Sequence, residues 1–387
     1  MGRNLLFQLS ARTEIQPIPT VTNTPPAPPR RLNALTGLRC FAALNIVFFH
    51  FSNPDWFGPL APVVNSGYIS VSFFILLSGY VLAYNYAERG QRGEIDSIRF
   101  WKARLARLYP IYILSLILAF SMVPVEWGAH THFMFWLGVV LTPLLLQGWI
   151  PALATFVNTP AWTISAEAFY YALFPWIARW RRPKSLPILL AILTLLWLGA
   201  SSAGFLYVVL SPDGVAHPDR YTGGFWMRTL KYTPLPHLCT FLFGVVLAAI
   251  DAVLPRTAHW RAWAGFAGFA ALYFVLAHAA HLPYALLHDG LLLPLFAPIV
   301  LGLAGENWLS RILGFRGFVV IGEASYCMYL LHFNMWTMLH RSNILVATGL
   351  IRFDPWISYV ILVLLALAAL HWIEKPAQRW MKRLLKA

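Results

Sequence analysis

The chain has 387 residues, 59% of them hydrophobic and 11% charged, with a formal net charge of +14. Soluble domains carry about 25% charged residues, so an ordinary soluble fold is excluded and the chain reads as a polytopic membrane protein. The basic residues cluster between apolar runs, as the positive-inside rule requires of cytoplasmic loops, which argues against a nucleic-acid partner.

Residues 1–31 contain "TEIQPIPTVTNTPPAPPRR", rich in Pro and Thr with little to bury. They read as a disordered cytoplasmic tail and lack the pattern of a signal peptide. A spanning helix needs about 20 apolar residues to cross about 30 Å of hydrocarbon. Eleven stretches approach this: 34–52, 68–87, 107–125, 132–149, 160–178, 186–210, 234–250, 262–281, 285–303, 317–339 and 356–373. They predict an all-α membrane helical bundle over residues 32–376, followed by a basic cytoplasmic tail at 377–387.

Charge sets the orientation. Arg30 and Arg31 precede the first stretch. Arg89, Arg92, Arg99, Lys102, Arg104 and Arg107 follow the second, and "ARWRRPK" occupies 178–184. These segments and the tail from Lys375 are expected in the cytoplasm, and the mixed-charge segment 211–231 outside. Three stretches lie between the loop at 88–107 and 178–184, yet two points on one side require an even number of crossings. The stretch 132–149 is short and holds Pro143 and Gly148, so 132–161 is expected to include a re-entrant or broken element. The expected count is about ten full spans plus this segment, with both termini inside.

Ionisable residues inside spans are costly and therefore point to function. In "GLRCFAALNIVFFHF" (37–51), Arg39 and His50 are eleven residues apart. That spacing is about three turns, one face and roughly 16 Å of rise. In "FWKARLARLYPIY" (100–112), Arg104 and Arg107 share a face and suit a ligand with several phosphates. "NTPAWTISAEAFYYALFP" (158–175) carries Glu167 with Tyr170 and Tyr171 one turn on. In "IGEASYCMYLLHFNMW" (321–336), Ser325, Tyr329 and His332 line one helix face, with Glu323 nearby. Each group also admits a structural role: snorkelling for Arg39, packing for His50, topology-setting charge for the arginine pair, an interhelical ion pair for Glu167, and hydrogen-bonding glue for the last. Of the other histidines, His130 and His132 fall in an expected outer loop, and His278, His281 and His288 flank a short turn without obvious carboxylate or thiol partners, so no metal site is expected. Cys40, Cys239 and Cys327 read as free buried thiols.

Taken together these segments resemble the acyltransferase-3 family of integral membrane acyltransferases. The arginine–ten residues–histidine pattern of the family's first span matches Arg39 and His50. "FFILLSGY" matches its second signature at Ser78 and Gly79, and "RLARLYPIY" the third. "WTISAEAFYYALFP" places Trp162, Ser165, Glu167 and Tyr171 on family positions. "PLPHLCTFLFG", "IGEASYCMYLLH" (Ser325, Tyr326, Tyr329, His332) and "IEKPAQRW" complete seven signatures in order. Ala168 and Thr240 stand where the family often has acids, which puts a second carboxylate in doubt. The resemblance implies transfer of an acyl group, most often acetyl, from cytoplasmic acyl-CoA to a hydroxyl of a glycan, lipid-linked sugar or similar acceptor, in a bacterial inner membrane. It implies no permanently bound cofactor. By its reading His50 is general base or acyl carrier, Glu167 orients it, Arg39 acts at the thioester or on CoA, and Tyr329 donates to the oxyanion. Arg104, Arg107, Arg39 and Ser78 bind the donor. Trp162, Ser165, Tyr171, Tyr326 and His332 face the acceptor. No hydrolase-like domain is expected after the membrane domain. A transporter of a small polar or anionic solute is the alternative for the same intramembrane charges.

Overall fold

The computed structural model describes residues 32–216, 218–219 and 221–384. The tail expected at 1–31 lies outside the described residues. Every regular element among those described is a helix. In chain order the principal ones are α1 (Asn33–Phe51), α2 (Ile69–Gln91), α3 (Ser97–Leu118), α4 (His132–Leu141) and α5 (Trp162–Ile177). There follow α6 (Leu186–Leu210), α7 (Phe225–Tyr232), α8 (Leu238–Val253), α9 (Trp260–Ala277) and α10 (Leu293–Ala304). The last are α11 (Arg316–Glu323), α12 (Ser325–Arg341), α13 (Trp356–Ala369) and α14 (Lys375–Leu384).

Among the described residues, seven helical stretches are long and apolar enough to cross a bilayer: 33–51, 69–91, 97–129, 186–210, 260–277, 284–304 and 356–381. The chain is an integral membrane protein. The other four expected stretches fold as shorter helices. The stretch 132–149 yields only the ten residues of α4, then turns and single 3-10 turns as far as Thr159. Ten residues rise about 15 Å, half the hydrocarbon thickness. The stretch 317–339 is broken at Ala324 into α11 and α12.

Glycines in the sequence signatures set one of the closest crossings. A Cβ on Gly79 of α2 would sit 2.0 Å from the Phe241 carbonyl oxygen, and one on Gly244 of α8 would sit 1.9 Å from that of Leu76. The two backbones thus touch where only a hydrogen fits, the small-residue solution to packing helices in lipid. A fully buried ionic contact fastens the same region. Arg261 of α9 bonds Asp251 of α8, which also accepts from the Tyr80 hydroxyl of α2 at 2.9 Å. One turn of π-helix at Leu370–Glu374 joins α13 to α14. Its wider winding turns Glu374 into the protein, where the carboxylate is buried.

Candidate functional site

Two cavities lie among α1, α2, α5 and α12. The first, of about 110 Å³, is lined by Arg39, Ser78, Arg104, Arg107, Glu167 and Tyr171, with Tyr326 and Tyr329. Each comes from a different part of the chain. Arg39 sits two turns into α1, Ser78 beside the glycine crossing of α2, the two arginines on α3, and Glu167 and Tyr171 one turn apart on α5. The N-cap of α3 is Asp96, which accepts from the backbone N–H of Arg99 at 3.0 Å, so the helix starts well before its apolar core. Those added turns carry Arg104 and Arg107 to the cavity wall.

Glu167 Oε1 accepts from Tyr171 OH at 2.7 Å and from Ser78 Oγ at 3.1 Å. Arg39, Arg107, Glu167 and Glu374 are near enough for their charges to act on one another. Arg104 packs across the rings of Tyr86 and Phe100 and donates to Tyr86 OH at 3.1 Å, while its buried Nε makes no hydrogen bond within the chain. A guanidinium so held has donor capacity left for an anion. Glu374 escaped the reading of the sequence as a site residue. It accepts from Cys327 Sγ at 3.2 Å and from Gln378 Nε2 at 2.9 Å. Its signal was present in "IEKP", where a carboxylate closes an apolar run.

The second cavity, of about 340 Å³, holds His50 and His332. Around them stand Tyr68, Trp162, Tyr232, Tyr284 and Phe333, with Lys231 and His288 as further ionisable groups. Lys231 reaches it from α7, its ammonium over the rings of Tyr232 and Tyr284. Nothing in the mixed-charge segment marked Lys231 out beforehand, because a lysine there reads as ordinary loop charge. No carboxylate lines this chamber among the described residues, whose size falls within the range of small-ligand sites. Tyr329 and Val71 belong to both cavities and form the wall between them.

The expected residues therefore divide. Arg39, Ser78, Arg104, Arg107, Glu167, Tyr171 and Tyr326 gather in the first cavity, and His50, Trp162 and His332 in the second. Ser165 lines neither, and its Oγ donates to the Leu145 carbonyl at 2.6 Å. The expected pairing of Glu167 with His50 gives way to a different arrangement. Glu167 bonds Ser78 and Tyr171, while the His50 ring lies tilted beside His332 and Phe333, with centroids 5.4 and 4.6 Å away. The reason is depth: the rise along α1 that separates His50 from Arg39 carries it past the wall into the other chamber.

Comparison with known proteins gives this arrangement a context. The family model of the acyltransferase domain matches residues 32–373. The chain is 29% identical over 351 residues to acyltransferase MdmB of Streptomyces mycarofaciens, covering 81% of this chain and 82% of that one. It is 23% identical over 377 residues to O-acetyltransferase OatA of Staphylococcus aureus, covering 91% of this chain and 58% of the longer relative. Protein 2 in the picA locus of Rhizobium radiobacter is 34% identical over 174 residues, 40% of this chain and 84% of that one. No solved structure matches the chain. The chain belongs to the acyltransferase-3 family and is an acyltransferase.

Proposed function

We propose that this family member moves an acyl group, acetyl in the first instance, from acyl-CoA to a hydroxyl of a glycan, lipid-linked sugar or similar acceptor. The observation that carries the reading is the pairing of two unlike chambers across one tyrosine. One is lined by three arginines and a hydroxyl-bonded carboxylate, the other by histidines and aromatic rings. Coenzyme A is polyanionic, and guanidinium groups grip phosphate by paired N–H donors. Arg104 and Arg107 hold the donor by this reading, with the chamber open to the cytoplasm of a bacterial inner membrane and both chain termini on that side. Arg39 and Ser78 line the route of the thioester. Aromatic faces and tyrosine hydroxyls suit a polyol ring in the larger chamber, where Trp162 would pack against it.

His50 then takes the proton of the acceptor hydroxyl as its oxygen attacks the thioester carbonyl. The tetrahedral oxyanion is met by Tyr329 OH from the shared wall. The C–S bond breaks, the thiolate leaves with the electron pair, and His50 returns the proton to sulfur. The test uses the purified protein with acetyl-CoA as donor and glycerol as a probe hydroxyl. Wild type is expected to bind CoA by calorimetry and to release it as free thiol. His50→Ala is expected to lose about 10²-fold or more of the release, while His371→Ala, at an exposed site on the π turn, retains it. A wild type that binds no CoA overturns the reading.

A further inference from the structure

His332 is fully buried on α12, and its Nδ1 lies 2.5 Å from the Tyr329 carbonyl oxygen. A carbonyl only accepts, so Nδ1 carries the hydrogen, and the neutral ring must present a bare lone pair at Nε2. That Nε2 is buried and has no hydrogen-bond partner. Buried polar atoms are almost always paired, and an orphan calls for an explanation. The ring lines the second cavity beside His50, the centroids 5.4 Å apart and the planes 31° from each other. Phe333 packs on both imidazoles, 4.6 Å from each, and limits how far either turns. Lys231 and His288 are the other titratable nitrogens on this chamber. Glu167, which the sequence offered for the orienting role, is bonded in the other cavity.

We propose that His332 is the positioning residue for His50: its Nε2 lone pair accepts an N–H of His50 and steadies the imidazolium formed when His50 takes the acceptor proton. A base oriented by a third group is the general logic of catalytic triads. Here a neutral imidazole, fixed in one tautomer by a backbone carbonyl, stands in the place usually given to a carboxylate. The pair takes up one proton and gives it back in each cycle, always through His50. The proton moves from the acceptor oxygen to His50 and then to the departing sulfur, and His332 only accepts a hydrogen bond throughout. The proposal rests on the reading of His50 as base.

Two isosteric substitutions separate positioning from packing. His332→Asn keeps an N–H donor near the Nδ1 position and so preserves the bond to Tyr329. His332→Gln keeps an acceptor oxygen near the Nε2 position. With acetyl-CoA as donor and glycerol as a probe hydroxyl, His332→Asn is expected to lose about 10²-fold in kcat with KM for acetyl-CoA unchanged, and His332→Gln to stay within about tenfold of wild type. Asparagine at wild-type rate, or glutamine as slow as asparagine, overturns the proposal. A second readout needs no turnover: the rate of diethyl pyrocarbonate modification of His50, followed by mass spectrometry between about pH 5 and 8. Its pH profile is expected to shift in the asparagine variant and to hold in the glutamine variant. Profiles identical in all three proteins overturn the proposal. A wild type that releases no CoA but shows this shift defeats the acyl-CoA reading and leaves the histidine pair standing.

Discussion

Glu167 is held by two hydroxyls of unequal reach, 2.7 Å from Tyr171 and 3.1 Å from Ser78. Hydrogen bonds to a charged group contribute about 1.5–3 kcal/mol, and the shorter carries the larger share. Tyr171→Phe is therefore expected to lower the thermal midpoint of the purified protein and its CoA release more than Ser78→Ala does. Equal effects, or a larger one at Ser78, would contradict that ordering. At this scale the sequence was informative about which residues gather at the cavities and poor on which of them meet. Arg39, Arg107, Glu167 and Tyr171 stood out because ionisable and hydroxyl groups are conspicuous in apolar runs. Partnership depends on depth in the bundle, and one-dimensional spacing fixes face without fixing depth. Ser165 shows the converse. It occupies a signature position, yet its hydroxyl secures the Leu145 carbonyl of the irregular segment instead of facing a cavity.

Among the elements, the crossing of α2 and α8 and the cap of α7 decide how the walls of the two chambers stand. A side chain on Gly244 would meet the Leu76 carbonyl and force the two backbones apart. Overpacking of this kind costs typically 1–3 kcal/mol, roughly. Gly244→Val is expected to lower the midpoint in a fluorescence-monitored melt and to displace Ser78, two residues beyond Leu76. On the other side of the bundle, Asp213 accepts from the backbone N–H groups of Gly224, Trp226 and Met227 and from Tyr207 OH. It satisfies orphan donors at the start of α7, the helix that presents Lys231 and Tyr232. Desolvation pushes the Asp213 carboxyl upward, but those N–H bonds outweigh it and hold it below the ordinary carboxylate value. A depressed folded value means the cap stabilises fully above the unfolded carboxylate's pKa of about 4 and fades as pH falls through the folded one. Limited proteolysis of the 211–224 loop should accordingly rise as pH is lowered through that window, and Asp213→Asn should be as cleavable at neutral pH. Helices this short were beyond sequence reading, since eight residues in a mixed-charge loop are too few for their apolar period to stand out. The break at Ala324 was equally hidden, because hydropathy runs on across it.

Across the whole molecule, the membrane class and the helical bundle were legible from composition, since lipid admits few backbone solutions. The number of full crossings was less so. Helices such as α4, α5 and α8 are apolar enough for lipid yet too short to span it straight, and hydropathy does not separate the two cases. Orientation is testable with membrane-impermeant thiol reagents on intact cells. Glu94→Cys, in the exposed turn between α2 and α3, is expected to react only after permeabilisation, and Tyr221→Cys, exposed in the loop before α7, without it. The reverse pattern would invert the chain and place the arginine chamber outside.

The wall between the chambers bears on the membrane itself. Two polar hollows entering a bilayer from opposite sides form a conduit if they meet, and protons or ions would run through it down their gradients. Tyr329, flanked by Phe74 at 6.3 Å between ring centroids and by Val71, stands at that meeting point. On the proposed reading, the side chain that stands between donor and acceptor thus also insulates. Enlarging it into a hole, as in Tyr329→Gly, would carry a penalty beyond lost turnover: a cell that leaks.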